Sequence, residues 1–357
     1  MSDIFSFRRT FCSLSKTLFL ACIFNGAAFA ADSPVLDVLM RMQTATQNIN
    51  YQGTLVYMQD GEVQSMRVVH KADQNGEIER LINLNGVARE IVRKNDVVTC
   101  YMPDRKTVSV GRRHQFTGNL LSQLAENDFG RLQDYYLFEF EAVERVAGRS
   151  AQRILIKPKD ASRYGYRLWV DEANTILLKS DLLSEQGHVL EQTMFADIRI
   201  GGDIPDDMLA PESSGENFTW FEHEPVNSEI VDSEPAGSEK KLIESRWEIT
   251  ALPQGFNVAA RFHHQMPNSD GPTEHWVISD GLASISIYIE QIPDGKSAFE
   301  GASPMGATNT FGVLNKGVSS EGVLNETYQI TVIGEVPAST VEKLAHAIML
   351  KMPQAAE

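Results

Sequence analysis

A short stretch near the start of the chain, NYQGTLVYMQDGEVQSMRVVHK at residues 50–71, has the pattern of a β-hairpin. Two apolar-rich runs flank Asp60-Gly61, a dipeptide that tolerates positive φ at both central positions of a type I′ turn. A turn at this point fixes which residues of the two strands face each other. The predicted cross-strand pairs are Met58 with Val63, Val56 with Ser65, and Leu55 with Met66.

The two faces of this hairpin differ in polarity because successive strand residues point to opposite sides. One face carries Leu55, Tyr57, Met66 and Val68. The other face is mixed and carries Thr54, Val56, Met58, Val63, Ser65 and Arg67. A face of large apolar side chains is covered by another element or lines a cleft, since its exposure to water is unfavourable. The hairpin therefore predicts a sheet with at least one buried face.

Strand patterns of this kind recur through residues 31–211, which we predict to be one mainly antiparallel domain. A helix is predicted over 34–47, with Ser33 as its cap and Pro34 at its first position. A second helix is predicted over 117–127. The roughly eleven predicted strands are 52–59, 62–70, 77–84, 87–93, 96–102, 106–110, 136–146, 151–157, 165–171, 175–183 and 188–199.

Residues 1–30 have the features of a secretory signal peptide. Basic residues precede an apolar stretch that ends in Ala28-Phe29-Ala30, which predicts cleavage before Ala31 and a soluble exported product. Two alternatives are weaker. The sequence RRTF at 8–11 resembles part of a twin-arginine signal, and Cys22 follows a poor lipobox.

Composition and charge limit the functions that the protein can have. Hydrophobic residues at 42% and charged residues at 22% are typical of a folded soluble protein. The net charge of -16 argues against nucleic acid as a partner, because its phosphates would be repelled. Removal of the signal peptide leaves Cys100 as the only cysteine, so no intramolecular disulfide is expected, and its thiol is predicted to be a small buried hydrophobe.

An acidic interdomain linker is predicted over residues 212–241. Eight acidic residues and no Lys or Arg lie between Glu212 and Glu239, which is typical of a solvated segment. Three aromatic residues interrupt it and are predicted to dock on a neighbouring domain as part of a hinge: Phe218, Trp220 and Phe221.

Residues 242–357 are predicted to form a small α+β domain. Ser339 and Glu342 fit a capping box at the start of a C-terminal helix. A second hairpin turn is predicted at Asp280-Gly281. The predicted strands are 244–250, 255–264, 274–279, 282–290, 307–315 and 324–334.

No catalytic signature is found in the sequence. The motifs G-x-S-x-G and H-E-x-x-H, the P-loop and the Rossmann glycine pattern are all missing. The pair His263-His264 lies in a predicted strand, where adjacent side chains point to opposite faces and cannot readily chelate one metal ion. We therefore expect no enzyme activity, no cofactor and no metal, with an envelope enzyme as the remaining third alternative.

Two features could bind a ligand. The first is the extent of apolar sheet, which helices cover as a core or which forms a cleft for acyl chains. The second is a concentration of basic residues over 89–113, explained by solvated strand edges or by capture of phosphorylated headgroups or an acidic peptide. The candidate lipid-binding residues are Leu55, Tyr57, Met66, Val68, Arg89, Arg93, Arg112 and Arg113.

Three stretches together resemble one protein family: residues 50–71, SRYGYRLWVDEANTILLKSDLL at 162–183, and TVIGEVPASTVEKLAHAI at 331–348. They are similar to the periplasmic sigma-E regulatory proteins RseB and MucB, over essentially the whole mature chain. The resemblance implies a half-barrel like that of the lipoprotein carriers LolA and LolB, with helices on its concave side, followed by a small α+β domain. By the same resemblance, the apolar face with Leu55 is packed by helices or lines a lipid cleft.

The resemblance also implies a function. Such proteins bind the periplasmic region of an anti-sigma factor of the RseA or MucA type and shield it from site-1 proteolysis. They release it on sensing lipopolysaccharide or mislocalised lipoprotein. We expect the partner to bind mainly through 242–357 and the groove between the domains. A LolA-type lipid or lipoprotein carrier is the alternative, and the sequence leaves a homo-oligomer open.

Overall fold

The computed structural model describes residues 33–112, 129–222, 245–265, 272–293, 297–319 and 322–351. From Pro34 onward these residues belong to one compact unit. Two extended β-sheets account for most of it, and we call them the large sheet and the small sheet. The predicted α+β fold, mainly antiparallel, is confirmed.

The large sheet contains twelve strands in the order β12-β6-β5-β4-β3-β2-β1-β11-β10-β9-β8-β7. In the described part of the chain β12 and β7 are its two edges, so the sheet is open. Its neighbours are antiparallel except β12 and β6, which are parallel. The strands are β1 (Tyr51–Gln59), β2 (Glu62–Asp73), β3 (Gly76–Asn83), β4 (Glu90–Lys94), β5 (Val97–Met102), β6 (Thr107–Arg112), β7 (Tyr136–Val146), β8 (Arg149–Pro158), β9 (Gly165–Asp171), β10 (Leu177–Leu183), β11 (Val189–Ile200) and β12 (Thr219–Glu222).

The predicted hairpin forms with the predicted register. Asp60 and Gly61 adopt positive φ angles of 51° and 80°. The pairs Met58 with Val63, Val56 with Ser65, and Leu55 with Met66 are all confirmed.

Helix α1 (Pro34–Asn48) covers the face of the large sheet that carries Leu55, and we call this the helix face. The buried residues Leu39 and Met42 of α1 pack with apolar residues of β8 to β10. Farther along, Ala45 of α1 shares a cluster with Leu55 and Val68. The 3.6-residue spacing of these helix positions explains why one stripe of α1 is buried. The short helix α2 (Phe129–Leu132) packs into the same core.

The opposite face of the large sheet is crossed by residues 201–222, which we call the strap. Ile204 and Leu209 of the strap pack against Val69. On the same face of the sheet as Val69, the guanidinium of buried Arg80 on β3 donates to Glu90 on β4 at 2.6 Å. The strap then reaches the edge of β6 and continues as β12.

The small sheet has six strands in the order β14-β15-β16-β19-β18-β17, and β13 pairs with β20 beside it. Helix α3 (Ala338–Ala347) buries Val341 and Leu344 in a core with Trp276 and several isoleucines. The strands are β13 (Trp247–Ile249), β14 (Asn257–Gln265), β15 (Pro272–Ser279), β16 (Ser284–Ile292), β17 (Gly301–Met305), β18 (Thr308–Ser319), β19 (Gly322–Gly334) and β20 (Ile348–Leu350).

Several element predictions need correction. The short strands β12, β17 and β20 and the helix α2 were not predicted. Strand β4 begins at Glu90 rather than at residue 87, because residues 84–89 form a loop. The predicted helix 117–127 lies outside the described residues.

Candidate functional site

The four apolar candidates for lipid binding do not form one open surface. Leu55 and Val68 are each 2% exposed and belong to the core beneath α1, and Met66 packs against that core. Tyr57 lies farther along the same strand and is partly exposed. Burial and the neighbouring Glu191 carboxylate raise the pKa of Tyr57 above its usual value. Leu55, Met66 and Val68 therefore belong to the core beneath α1, whereas Tyr57 lies beside Glu191.

Arg93 is held inside the large sheet by two carboxylates. Its guanidinium donates to Glu77 at 2.8 Å and to Glu79 at 3.1 Å, and its side chain is 9% exposed. Nearby, the rings of Tyr51 and His70 stack with centroids 4.7 Å apart. Binding of a lipid phosphate by Arg93 would require it to leave partners that already match its charge.

The other three arginine candidates are Arg89, Arg112 and Arg113. Arg89 is exposed and immediately precedes β4. Its positive charge opposes the effect of burial, which raises the pKa of the Cys100 thiol. Arg112 ends β6, and Arg113 lies outside the described residues. Cys100 is buried, as predicted.

The linker aromatics belong to the edge of the large sheet. Trp220 packs edge-on against Tyr101 with ring centroids 6.3 Å apart, and its indole N–H donates to the Gly215 carbonyl at 3.3 Å. A Cβ on Gly215 would lie 2.9 Å from the Trp220 ring, so this close approach requires glycine. Phe218 precedes β12, and Phe221 is 48% exposed on it. Trp220 and Phe221 thus lie on a strand that pairs with β6, and Trp220 packs on Tyr101 of β5. The docking of these aromatic residues on a neighbouring domain and their role as a hinge stay predictions.

Sequence reasoning missed the contact that joins the two sheets, which is centred on Arg163. This side chain is fully buried in the loop between β8 and β9, and its guanidinium donates to Asp280 at 2.5 Å. It also donates to Asp160 at 3.2 and 3.0 Å and to the Gln254 carbonyl. The Tyr136 hydroxyl donates to Asp280 at 2.8 Å. We call this group the arginine contact.

Aromatic rings surround the Arg163 guanidinium. Its carbon atom lies 5.3 Å from the centroid of Tyr135, 5.4 Å from that of Tyr136 and 4.8 Å from that of Phe256. Cation–π attraction is strongest where the cation is removed from water, as here. Burial and the Asp280 charge raise the pKa of Tyr136 well above its usual value, so its hydroxyl remains a donor.

Apolar packing extends the arginine contact. Leu282, in the β15–β16 turn, is 1% exposed, and Ala307, in the β17–β18 turn, is fully buried; both belong to the core of the large sheet. Hydrogen bonds also join the two halves: Asn309 Nδ2 to Tyr164 Oη at 3.1 Å, Thr340 Oγ1 to the Ser162 carbonyl at 3.0 Å, and Tyr166 Oη to the Leu282 carbonyl at 3.4 Å.

A second polar contact between the halves contains two carboxyl groups. Gln59 Nε2 donates to Glu191 Oε1 at 2.6 Å, and Glu191 also accepts from the Tyr57 side chain and the Ala307 backbone N–H. Burial raises the pKa of Glu191. Glu335 lies between β19 and α3 with an exposed side chain, and the surrounding protein and the Glu191 charge raise its pKa to about 7. We call this group the carboxyl contact.

Neither a membrane span nor a metal site is evident in the described residues. No helix there is long and apolar enough to cross a membrane. Within the same residues, no group of three or more His, Cys, Asp or Glu side chains is arranged to hold a metal ion. His263 and His264 pair with Glu274 and Thr273 respectively in the small sheet.

Comparison with known proteins identifies the two halves separately. Residues 34–213 match the family model of the MucB/RseB N-terminal domain, and residues 241–349 match that of the MucB/RseB C-terminal domain. The sigma factor AlgU regulatory protein MucB of Pseudomonas aeruginosa is 29% identical over 323 residues, which cover 90% of this chain and 92% of that protein. The sigma-E factor regulatory protein RseB of Escherichia coli K12 is 26% identical over 312 residues, which cover 87% and 89%.

Two solved structures are similar along most of the chain. The complex structure of Pseudomonas aeruginosa MucA/MucB aligns with a TM-score of 0.68 at 26% identity and covers 89% of this chain and 99% of that chain. A crystal structure of MucB in complex with MucA(peri) aligns with a TM-score of 0.66, with the same identity and coverage.

Proposed function

The chain belongs to the MucB/RseB family, and we propose that it is a periplasmic, non-enzymatic regulator of a sigma factor that controls the envelope stress response. In this proposal it binds the periplasmic region of an anti-sigma factor of the RseA or MucA type and shields it from site-1 proteolysis. The observation that carries the proposal is the match of both halves to MucB, whose solved structures include complexes with MucA.

The fold supports binding of an extended polypeptide. β14 and β17 are the outer strands of the small sheet, and an outer strand can pair with an added peptide strand. The small sheet is fixed to the large sheet by the arginine contact, so a peptide bound beside the junction would sense the arrangement of both halves. We therefore propose residues 242–357 and the adjoining groove as the main partner surface.

Lipid is proposed to act through the large sheet. Its helix face is apolar over many strands and is covered by α1, so acyl chains would bind there by taking the place of helix packing, with about 0.8 kcal/mol for each methylene buried. Exposed Arg89 at the rim is better placed for a phosphorylated headgroup than Arg93, which is paired with Glu77 and Glu79. Lipopolysaccharide or lipoprotein acyl chains bound there would favour an arrangement that holds the anti-sigma factor weakly.

The partner proposal is tested by calorimetric titration of the full mature chain with the periplasmic segment of an anti-sigma factor. A scrambled segment of the same composition controls for charge, because the chain is strongly acidic. We expect saturable binding of the native segment only. Equal heats from both segments would contradict the proposal.

A LolA-type carrier is the second candidate, favoured by the open twelve-stranded sheet with a helix on one face. Pull-down from envelope extract separates the two functions. A regulator recovers an inner-membrane anti-sigma factor as its main companion, whereas a carrier recovers lipoproteins.

A further inference from the structure

Two turns of the small sheet close one end of the apolar interior of the large sheet. They are the β15–β16 turn at 280–283 and the β17–β18 turn at 306–307. Leu282 is 1% exposed and Ala307 is fully buried, and both share one core with residues of α1, α2 and strands β7 to β10. The small-sheet half therefore places its own apolar groups in the interior between α1 and the helix face, which is the site proposed above for acyl chains.

The two turns contact the end of the large sheet where β1 ends and β9 begins. The hydroxyl of Tyr166, near the start of β9, donates to the Leu282 carbonyl at 3.4 Å. A Cβ on Gly306 would lie 2.0 Å from Nε2 of Gln59, the last residue of β1. An acyl chain that enters the interior at this end would take the positions of Leu282 and Ala307.

The β15–β16 turn is built by the small-sheet half itself. Asp280 Oδ1 accepts from the backbone N–H groups of Leu282 and Ala283 at 2.9 and 2.7 Å. The Ser279 hydroxyl donates to the Ala283 carbonyl at 2.9 Å. Both partners of each hydrogen bond belong to the same half, so the turn can keep its shape when the two halves separate. Leu282 is thus presented to the large sheet by a preformed turn.

The other oxygen of the same carboxylate attaches the turn to the large-sheet half. Asp280 Oδ2 accepts from the Arg163 guanidinium at 2.5 Å and from the Tyr136 hydroxyl at 2.8 Å. One side chain therefore both shapes the turn and holds it against the large sheet. A ligand that removes Leu282 from the core also brings Asp280 and Arg163 into water, where each charge can be hydrated.

We propose that the β15–β16 and β17–β18 turns are an autoinhibitory plug: Leu282 and Ala307 fill one end of the apolar interior, and an acyl chain binds there when the turns withdraw. This inference rests on the lipid role in the proposed function, and it names the step by which lipid changes the arrangement of the two halves. Because chain and turns compete for one site, each lowers the population of the state that the other prefers.

Gly306→Asn tests the plug. Gly306 has a φ angle of 62°, which asparagine tolerates better than most residues, so the small-sheet half keeps its own turn. The new side chain would displace Gln59 from its hydrogen bond to Glu191 and so weaken docking. Gly86→Asn is the control, because Gly86 has a φ angle of 72° and no atom lies within 4 Å of an added Cβ.

Lipid affinity is measured by calorimetric titration of the full mature chain with myristoyl lysophosphatidylglycerol. We expect G306N to bind this lipid about 5-fold more tightly than the wild type, which corresponds to one hydrogen bond lost from the docked state. G86N should bind it as the wild type does.

Hydrogen exchange of the wild type gives a second readout that needs no variant. The Ala307 backbone N–H donates to Glu191 across the junction, so its exchange should become faster at saturating lipid. The amides of 285–289, on β16 within the core of the small sheet, should exchange at an unchanged rate.

The two experiments separate the plug from the lipid role. Equal affinities of the wild type and G306N, or an unchanged exchange rate of Ala307 with lipid bound, would overturn the plug and leave the lipid role in place. Absence of saturable binding to the wild type, G306N and G86N alike would overturn the lipid role and the plug with it.

Discussion

The arginine contact and the carboxyl contact join the same two sheets with opposite electrostatics. In the first, fully buried Arg163 is matched by Asp280 and Asp160 and enclosed by aromatic rings. In the second, Glu191 and Glu335 are both acidic, and among the described residues Glu191 accepts from the neutral donors Gln59, Tyr57 and Ala307. The first contact pairs opposite charges in the interior, whereas the second holds a carboxylate with uncharged donors.

The two contacts therefore contribute differently to the stability of the junction between the two sheets. A buried ion pair gains little net stability over apolar packing, but removing one partner is costly because the other charge is left unpaired in the interior. The arginine contact therefore disfavours any arrangement that separates Arg163 from Asp280 without hydrating both. The carboxyl contact adds hydrogen bonds of Glu191 to Gln59, Tyr57 and the Ala307 backbone.

The largest expected effect is the loss of the arginine contact. Arg163→Ala should lower the free energy of unfolding by about 3–5 kcal/mol, because Asp280 would remain buried without its cation. Urea denaturation measures the loss. Arg41→Ala is the control, since Arg41 pairs with Asp37 on the exposed side of α1 and such pairs contribute about 0–1 kcal/mol. Similar losses in both variants would show that the arginine contact is not the main junction.

The second-largest expected loss of stability comes from the apolar packing between the two sheets. Leu282→Ala should cost about 2–4 kcal/mol, because Leu282 of the small-sheet half is buried in the core of the large sheet. Leu84→Ala, at a residue 47% exposed, should change stability by less than about 0.5 kcal/mol. Chemical denaturation of the two variants compares them directly. A Leu282 variant as stable as the Leu84 variant would mean that the two cores are independent.

The smallest expected effect lies outside both contacts. Trp220→Ala should lower stability by about 1 kcal/mol or less, since Trp220 is 50% exposed and packs on Tyr101 at the edge of the large sheet. A hinge role for the linker aromatics predicts in addition that this variant changes the coupling between lipid and partner more than either affinity. Unchanged coupling would leave Trp220 as a packing residue of β12.

Local patterns predicted much of the fold. The Asp60-Gly61 turn was sufficient to predict the hairpin pairs, because turn geometry and strand periodicity act over neighbouring residues. Helix α1 was likewise predicted from its cap and its apolar stripe. Strand β12 was missed because it is a short segment in an acidic stretch, and it pairs with a strand more than a hundred residues earlier.

The junction between the two sheets was harder to predict because its residues are also far apart in the sequence. Arg163 and Asp280 are separated by 117 residues, and each is locally an ordinary polar residue beside a strand. For Arg93, in contrast, the sequence contained a sign of its pairing. In the structure Arg93 lies opposite Glu79 on the adjacent strand, and the two glutamates of predicted strand 77–84 were a sign of an ion pair rather than a free phosphate ligand.

We propose that lipid on the large sheet and an anti-sigma factor segment compete through the arrangement of the two halves. The direct measurement is the affinity of the full chain for the segment with and without saturating lipopolysaccharide, and for lipopolysaccharide with and without saturating segment. Each ligand should weaken the other by the same factor, about 5- to 150-fold for a typical coupling. Equal affinities under all four conditions would contradict the account.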